Sequence, residues 1–138
     1  MPVDRIASWL LRGIYDIVYT AAMPTDGRSL SPQWFQILLA LADRDLHGLA
    51  ITKEVFERTE GQMQLWPGML YGALRKMSDE GLVDEVEPPS GFTAGGGRPR
   101  FYRITPLGRR RCATEARRLA RFVDAAEAKR LIKRPRAT

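Results

Sequence analysis

The sequence predicts a mainly α-helical protein with one small β-hairpin, and three observations support this fold class. Apolar residues recur at helical spacing in five segments, which is typical of amphipathic helices. Two short segments rich in β-forming residues flank a Gly/Pro-rich stretch, as in a hairpin with a long loop. The length of 138 residues fits one compact domain with an appendage.

The first predicted helix covers residues 3–23, and the turn-forming residues 24–27 end it. Its apolar stripe includes Ile6, Trp9, Leu10 and Ile14. Because the polar face of this helix is thin, we expect another part of the folded protein to cover it.

Three short helices are predicted next, over residues 33–42, 47–59 and 67–80. The first of them follows Ser31-Pro32, an N-cap and a proline at the first helical position, and the second ends at Gly61. The residues expected to face inward are Trp34, Phe35, Leu38, Leu39 and Leu41 in the first, Leu49, Ala50, Ile51 and Val55 in the second, and Leu70, Leu74 and Met77 in the third.

A change of period after residue 81 predicts the hairpin. Residues 82–87 and 100–104 are the two strands, and residues 88–99 form the long loop between them. A last helix starts at Thr105-Pro106, again a cap followed by a proline, and runs to about residue 132.

The last helix carries a heptad seam, because its apolar positions alternate spacings of four and three. The seam positions are Cys112, Ala116, Leu119, Val123, Ala126 and Arg130. A helix of this length would extend beyond so small a domain, and exposing its apolar stripe to water would be unfavourable. Both points favour a homodimer over packing on its own domain. We therefore divide the chain into an N-terminal helix and turn (1–30), a central domain (31–104) and a C-terminal dimerisation helix with a basic tail (105–138).

The net charge of +6 is unevenly distributed along the chain. Residues 98–138 have a net charge of +11, whereas residues 1–97 have a net charge of −5. This asymmetry indicates a localised face for a polyanion, with nucleic acid as the first candidate, although a basic protein without such a partner would have the same total.

Catalytic, metal-binding and membrane functions find little support in the sequence. The only cysteine, Cys112, cannot form an intrachain disulfide, and its apolar position indicates a packed thiol rather than a redox sensor. It cannot build a zinc site with the only histidine, His47, and residues 95–97 lack the Gly-Lys-Ser/Thr ending of a phosphate-binding loop. Arg12 and Asp16 interrupt the N-terminal apolar stretch, so we expect no signal peptide, no membrane span and a cytoplasmic, non-enzymatic protein without cofactors.

Three short helices followed by a hairpin form the winged variant of the helix-turn-helix. In that arrangement the third helix enters the major groove of DNA, and the hairpin, or wing, contacts the adjacent backbone or the minor groove. Four motifs add to this: HGLAI at 47–51, PGMLYGALRKM at 67–77, EGLV at 80–83 and FYRITPLG at 101–108. Together they resemble the PadR-like family of bacterial transcriptional regulators over roughly residues 33–130.

The resemblance implies a dimeric repressor whose C-terminal helix forms the dimer interface and whose operator has two-fold character. The sequence departs from the family pattern at Met69, where Thr or Ser is common, and at Leu49, where an aromatic residue is common. Some family members respond to phenolic or aromatic effectors at the dimer interface. Trp9, Trp34 and Trp66 are candidate stacking surfaces for such a ligand, with core and hinge packing as the alternative.

The residues expected to bind double-stranded DNA lie on the fourth predicted helix, just before it, and on the wing. They are Gln64, Gly68, Met69, Tyr71, Gly72, Arg75 and Lys76 on the helix side, and Arg98, Arg100 and Arg103 on the wing. Arg75 is expected to hydrogen-bond a guanine, and the wing arginines are expected to contact phosphates. The alternatives are that Arg75 and Lys76 are merely solvated and that Tyr71 packs on the wing. At the dimer interface we expect Ile6, Leu10, Ile14, Cys112, Ala116, Leu119, Val123 and Ala126.

Two other functions are compatible with the same sequence. A winged-helix module without specific DNA binding would contact a protein partner through an apolar patch, although Arg75 and Lys76 favour DNA. Residues 3–23 could instead lie on a membrane surface. We expect this segment to pack against the C-terminal helix across the dimer, which leaves the protein without a membrane partner.

Overall fold

The computed structural model describes residues 29–92 and 99–134, which form a mainly helical arrangement around a small antiparallel sheet. The helices are α1 (Pro32–Leu41), α2 (Gly48–Arg58), α3 (Pro67–Asp79) and α4 (Pro106–Ala128), and the strands are β1 (Leu46–His47), β2 (Val83–Val86) and β3 (Phe101–Ile104). The predicted fold class is confirmed for this part of the chain. The helix predicted over residues 3–23 lies outside the described residues.

Two of the helices begin at the cap residues that the sequence indicates. The Ser31 hydroxyl accepts a hydrogen bond from the Trp34 N–H at 3.2 Å, and the Thr105 hydroxyl accepts one from the Gly108 N–H at 3.0 Å. In both cases a proline occupies the first turn, where its missing N–H leaves no hydrogen bond unmade. Local chemistry alone therefore determines where α1 and α4 start.

Left-handed residues follow three of the four described helices. Gly61 and Gly81 have φ of +80° and +78° just after α2 and α3, a conformation that glycine adopts without steric cost. Helix α4 ends at Ala128, earlier than the predicted residue 132, because Arg130 has φ of +62°. The Leu131 N–H then bonds the Ala126 carbonyl at 2.9 Å, which closes the helix end without a glycine.

The sheet contains one strand more than the sequence predicts. Strands β2 and β3 form the predicted hairpin, with Val83 opposite Ile104. The additional strand β1 pairs with the other edge of β3, with Leu46 opposite Tyr102. Two residues are too few for a period to be visible, so the sequence could assign them only to a loop and a helix start.

The core lies between the helices and the inner face of the sheet. Its fully buried members include Ile37, Leu38 and Leu41 from α1, Ile51 and Val55 from α2, Leu65 before α3, Leu70, Leu74 and Met77 from α3, and Leu82 and Val83 around β2. The prediction for Leu49 is wrong, since this side chain is 72% exposed. Leu49 precedes Ile51 by two residues, about 200° around the helix, and so lies on the opposite face of α2.

The start of α4 packs tightly on the same core. An added Cβ at Gly108 would collide with the backbone carbonyl of Leu82, so the helix approaches this loop as closely as only glycine permits. None of the helices in residues 29–92 and 99–134 is both long and apolar enough to cross a membrane.

Candidate nucleic-acid interface

Helix α3 is divided into a buried face and an outward face. Leu70, Leu74 and Met77 are buried at spacings of four and three, which points the opposite side of the helix to solvent. Gly68 and Gly72 lie on this outward side, and an added Cβ at either position would meet no atom of the described residues within 4 Å. The middle of the outward face therefore carries no side chain at these two positions and leaves room for close approach.

Charged side chains follow the glycines along the outward face. Arg75 and Lys76 are exposed in the C-terminal half of α3, after the open stretch at Gly68 and Gly72. Gln64 lies half-buried just before the helix. The predicted recognition residues thus lie on one continuous outward surface, with Gln64 at its edge.

The start of α3 differs from the starts of the other described helices. Ser31, His47 and Thr105 each cap a helix through a side-chain hydrogen bond, whereas Trp66 at the N-cap of α3 makes none. As in the other described helices, the first turn of α3 contains no acidic residue. No carboxylate of its own first turn therefore offsets the partial positive charge that the helix dipole places at this end.

Tyr71 lies against the start of α2. A Cβ built on Gly48 would be 2.5 Å from the Tyr71 hydroxyl oxygen, so the phenol ring rests directly on the glycine backbone. Tyr71 is nevertheless half exposed. The ring thus contacts α2, and it also borders the cleft beside the hairpin, so packing of Tyr71 on the wing stays an alternative to a DNA contact.

A cleft of about 500 Å³ separates α3 from strands β2 and β3. Its lining includes Tyr71, Arg75, Asp79, Glu85, Arg100 and Tyr102. Burial, and then the nearby Glu85 carboxylate, raise the pKa of the Tyr102 phenol, which therefore stays protonated at neutral pH. Arg100 lies 3.5 Å from the same carboxylate and hydrogen-bonds the Tyr102 side chain, and it is largely exposed at the mouth of the cleft.

Arg103 does not lie on the surface predicted for it. Successive side chains of a strand alternate between faces, so Arg103 points away from the face that carries Arg100 and Tyr102. Its guanidinium donates two hydrogen bonds to Asp45, at 3.1 and 2.8 Å. These hydrogen bonds, and the charge of Asp45, raise the pKa of Arg103. The ion pair connects β3 to the segment before β1. Arg98, the third predicted wing residue, lies outside the described residues.

The base of the wing is anchored by an aromatic cluster that the sequence did not indicate. The His47 ring lies 5.3 Å from the Phe92 ring and 5.4 Å from the Phe101 ring. His47 also caps α2, since its Nδ1 accepts a hydrogen bond from the Ala50 N–H at 3.2 Å. One side chain thus connects the loop of the hairpin to the helix that supports Tyr71. The HGLAI motif was the available signal, but the partners of His47 come from residues more than forty positions away.

Helix α4 carries the predicted dimer seam, which needs one correction. Cys112 is only 7% exposed and belongs to the core of its own domain, and burial raises the pKa of its thiol. A heptad pattern cannot distinguish packing within a domain from packing on a partner, which explains the error. From Ala116 onward the helix is largely exposed, including Leu119, Phe122 and Val123, with Ala126 half-buried. Ile6, Leu10 and Ile14 lie outside the described residues.

Polar residues at the junction of the two parts of α4 are buried. Glu115 accepts a hydrogen bond from the Leu30 N–H at 3.0 Å and others from Arg118. Burial alone would raise the pKa of the Glu115 carboxyl, but these hydrogen bonds outweigh it and hold the pKa below its ordinary value. Arg111 is likewise buried and lies 3.3 Å from Glu80 at the end of α3.

The tryptophans that the sequence proposes as ligand contacts are not equivalent. Trp34 is half-buried against the core cluster, whereas Trp66 is 63% exposed at the start of α3. Trp9 lies outside the described residues. Among residues 29–92 and 99–134, no group of His, Cys, Asp and Glu side chains is arranged to hold a metal ion.

Known proteins share this arrangement. A PadR family transcription regulator from Clostridium difficile superimposes with a TM-score of 0.59 at 24% identity, covering 74% of this chain and 100% of that one. A transcriptional regulator from Clostridium thermocellum gives 0.56 at 20% identity, covering 73% and 90%. Bacillus subtilis PadR in complex with operator DNA gives 0.50 at 18% identity, covering 78% and 50%. At such identities the likeness shows the fold.

Two relatives are similar in sequence. An uncharacterised 37.1 kDa protein of transposon Tn4556 from Streptomyces fradiae is 40% identical over 86 residues, which is 62% of this chain and 22% of the relative. The uncharacterised protein X of Lysinibacillus sphaericus is 29% identical over 73 residues, which is 53% of this chain and 64% of the relative. The chain thus spans about a fifth of the first relative's length and somewhat under two thirds of the second's.

The model of the transcriptional regulator PadR-like family matches residues 37–114, a range that runs from α1 through the hairpin into the buried start of α4. The matched range contains the outward face of α3, the cleft and both sides of the sheet. Since more than half of the chain matches and the winged-helix arrangement is the one these regulators share, the protein belongs to the PadR-like family of DNA-binding transcriptional regulators, whose members are not enzymes.

Proposed function

We propose that this regulator is a homodimeric repressor that binds an operator of two-fold character with α3 in the major groove and the hairpin on the adjacent backbone. The outward face of α3 is the observation that carries the proposal. It combines an open stretch at Gly68 and Gly72 with exposed cations at Arg75 and Lys76. This is the shape and charge that a helix needs to approach the floor of the groove.

The residues of α3 would act in two groups. Arg75 is free to present its planar guanidinium to the O6 and N7 atoms of a guanine, while Lys76 contributes charge. Tyr71, placed at the start of α2, would donate its hydroxyl proton to a phosphate. At the start of α3, the main-chain N–H groups near Gly68 and Met69, together with Gln64, would contact the DNA phosphate backbone.

The wing would supply affinity rather than sequence specificity. Arg100 is exposed at the mouth of the cleft, where a phosphate of the strand between α3 and the hairpin would pass. We assign the same role to Arg98 from its place in the sequence. Arg103 is left out, because its guanidinium is occupied by Asp45 on the other face of β3.

Dimerisation would use the exposed part of α4. Ala116, Leu119, Val123 and Ala126 form a stripe that the described part of the protomer does not bury completely. We propose that a second copy covers it, and that Ile6, Leu10 and Ile14 of the helix predicted over residues 3–23 contribute to the same interface. Two copies of α3 would then meet half-sites about one helical turn of DNA apart, roughly 34 Å.

The dimer would act as a repressor from its operator, which is the role that the family resemblance implies. A small aromatic effector that stacked on Trp66, with Trp9 and Trp34 as further contacts, would act on the first turn of α3. Such a ligand would tilt the helix and release the operator.

A mobility-shift titration against the region upstream of the protein's own gene tests the function. We expect a shift that survives competitor DNA at moderate salt, and no specific shift would contradict the proposal. Arg75→Ala should lower the ratio of specific to non-specific affinity, whereas Arg100→Ala should weaken both and reduce the salt slope by about one. The control is Arg109→Ala, which removes an exposed cation from the surface near Asp45 and should leave specificity unchanged.

A further inference from the structure

Two large apolar side chains are exposed at the start of α3. Trp66 is 63% exposed and Met69 is 47% exposed. Trp66 is the N-cap residue, with extended backbone, and Met69 lies in the first turn of the helix. The core does not require them, because α3 contacts it through Leu70, Leu74 and Met77.

Met69 borders the outward face of α3. At about 100° per residue it lies on the same side of the helix as Lys76, and the open stretch at Gly68 and Gly72 separates it from Tyr71. In a helix-turn-helix protein the first residues of the recognition helix are the ones that meet base edges in the major groove. Met69 therefore brings an apolar group to the place where bases are read.

The bases differ in what they offer such a group. Guanine, adenine and cytosine present hydrogen-bonding atoms in the major groove, whereas thymine also presents its C5 methyl group. A thioether side chain is a poor hydrogen-bonding partner but packs well on a methyl group. Apolar contact with the thymine methyl group is thus the direct base contact that suits Met69 best.

We propose that Met69 contacts the C5 methyl group of a thymine in each operator half-site. The inference rests on the proposed function, because it requires α3 to lie in the major groove. A methyl group that leaves water on binding increases affinity roughly fourfold. The operator should therefore contain thymine opposite the first turn of α3.

The test uses the full chain and two versions of one duplex. The first is the fragment that the wild-type protein shifts, and the second carries deoxyuridine in place of every thymine, which removes only the C5 methyl groups. We expect the wild-type protein to bind the uracil duplex at least about fourfold more weakly. Met69→Ala and Met69→Gln should lose most of this difference, whereas Met69→Leu should keep it.

A matched control separates methyl recognition from general weakening. Arg75→Ala should weaken binding to both duplexes by the same factor and leave their ratio unchanged, since guanine recognition does not involve the methyl group. The Met69 variants should melt at the wild-type temperature, because this side chain is half exposed.

The other outcomes contradict the inference in distinguishable ways. A wild-type protein that shifts no fragment specifically overturns the proposed function itself. Specific binding with equal affinity for both duplexes overturns only the methyl contact, and so does a thymine preference that survives in Met69→Gln. A change in the solution mass of Met69→Ala would show that Met69 contacts a protein instead.

Discussion

Replacing Gly72 with alanine should stabilise the protein and weaken its binding to DNA. Gly72 lies inside α3, and an added Cβ would meet no atom of the described residues within 4 Å. Alanine in an exposed helix interior is favoured over glycine by about 0.5–1 kcal/mol, because it loses less backbone freedom on folding. The packing of the described residues therefore does not require a glycine here, whereas close approach of DNA to this face, as the proposed function has it, does.

The magnitudes follow from the same geometry. For a chain of this size we expect the melting temperature of Gly72→Ala to rise by about 2–4 °C. In the complex, the new methyl group would hold α3 away from the bases and stretch the hydrogen bonds of Arg75. Loss of one bidentate guanine contact costs about 1–3 kcal/mol, so we expect roughly a tenfold loss of specific affinity or more.

Two measurements check the prediction. Thermal melting of the DNA-free protein gives the change in stability, and fluorescence anisotropy with specific and competitor duplexes at one salt concentration gives the change in affinity. Thr114→Ala is the control, because it raises helix propensity in α4, away from α3. It should leave affinity unchanged. A Gly72→Ala variant that binds as tightly as the wild type, or that melts at a lower temperature, would refute the reasoning.

Three further predictions concern stability and assembly. Gly108→Ala should lower the free energy of unfolding by about 1–3 kcal/mol or more, because the new Cβ collides with the Leu82 carbonyl. Urea titration measures this change. Glu115→Gln should cost about 1–3 kcal/mol at pH 7. The folded pKa of Glu115 lies below its ordinary value of 4.5, so its stabilising contribution is present above that value and is lost as the pH falls through the folded pKa. The two proteins should accordingly converge in acid melts, and a constant difference would exclude the carboxylate as the cause. Leu119→Asp puts a charge on the proposed dimer stripe and should halve the mass measured by light scattering. If the variant stays dimeric, the dimer interface lies elsewhere.

Much of the fold could be predicted from local chemistry. The cap-and-proline pairs at Ser31 and Thr105 determine where two helices start, since their hydrogen bonds involve residues only three positions ahead. The core stripe of α3 follows from the spacing of apolar residues. The exposed position of Leu49 could also have been found in this way, since it lies on the other side of α2 from Ile51.

The candidate site depended more on tertiary structure. The sequence placed Arg100 and Arg103 on one wing, but alternation along β3 and the position of Asp45 put them on opposite faces. The contact between Gly48 and Tyr71 joins two helices and leaves no local pattern. The same holds for the ring cluster around His47, whose members come from three separate segments.

The sequence by itself determined the order of the helices and the hairpin, the helix starts and the motifs of the recognition helix, because these depend on neighbours within a few residues. Only the tertiary structure decided which charged and apolar side chains are free to meet a partner. Arg75 and Met69 are exposed, while Arg103 is paired and Cys112 is buried in its own domain. The physical reason is that exposure and pairing depend on residues distant in the sequence, which a periodic pattern does not record.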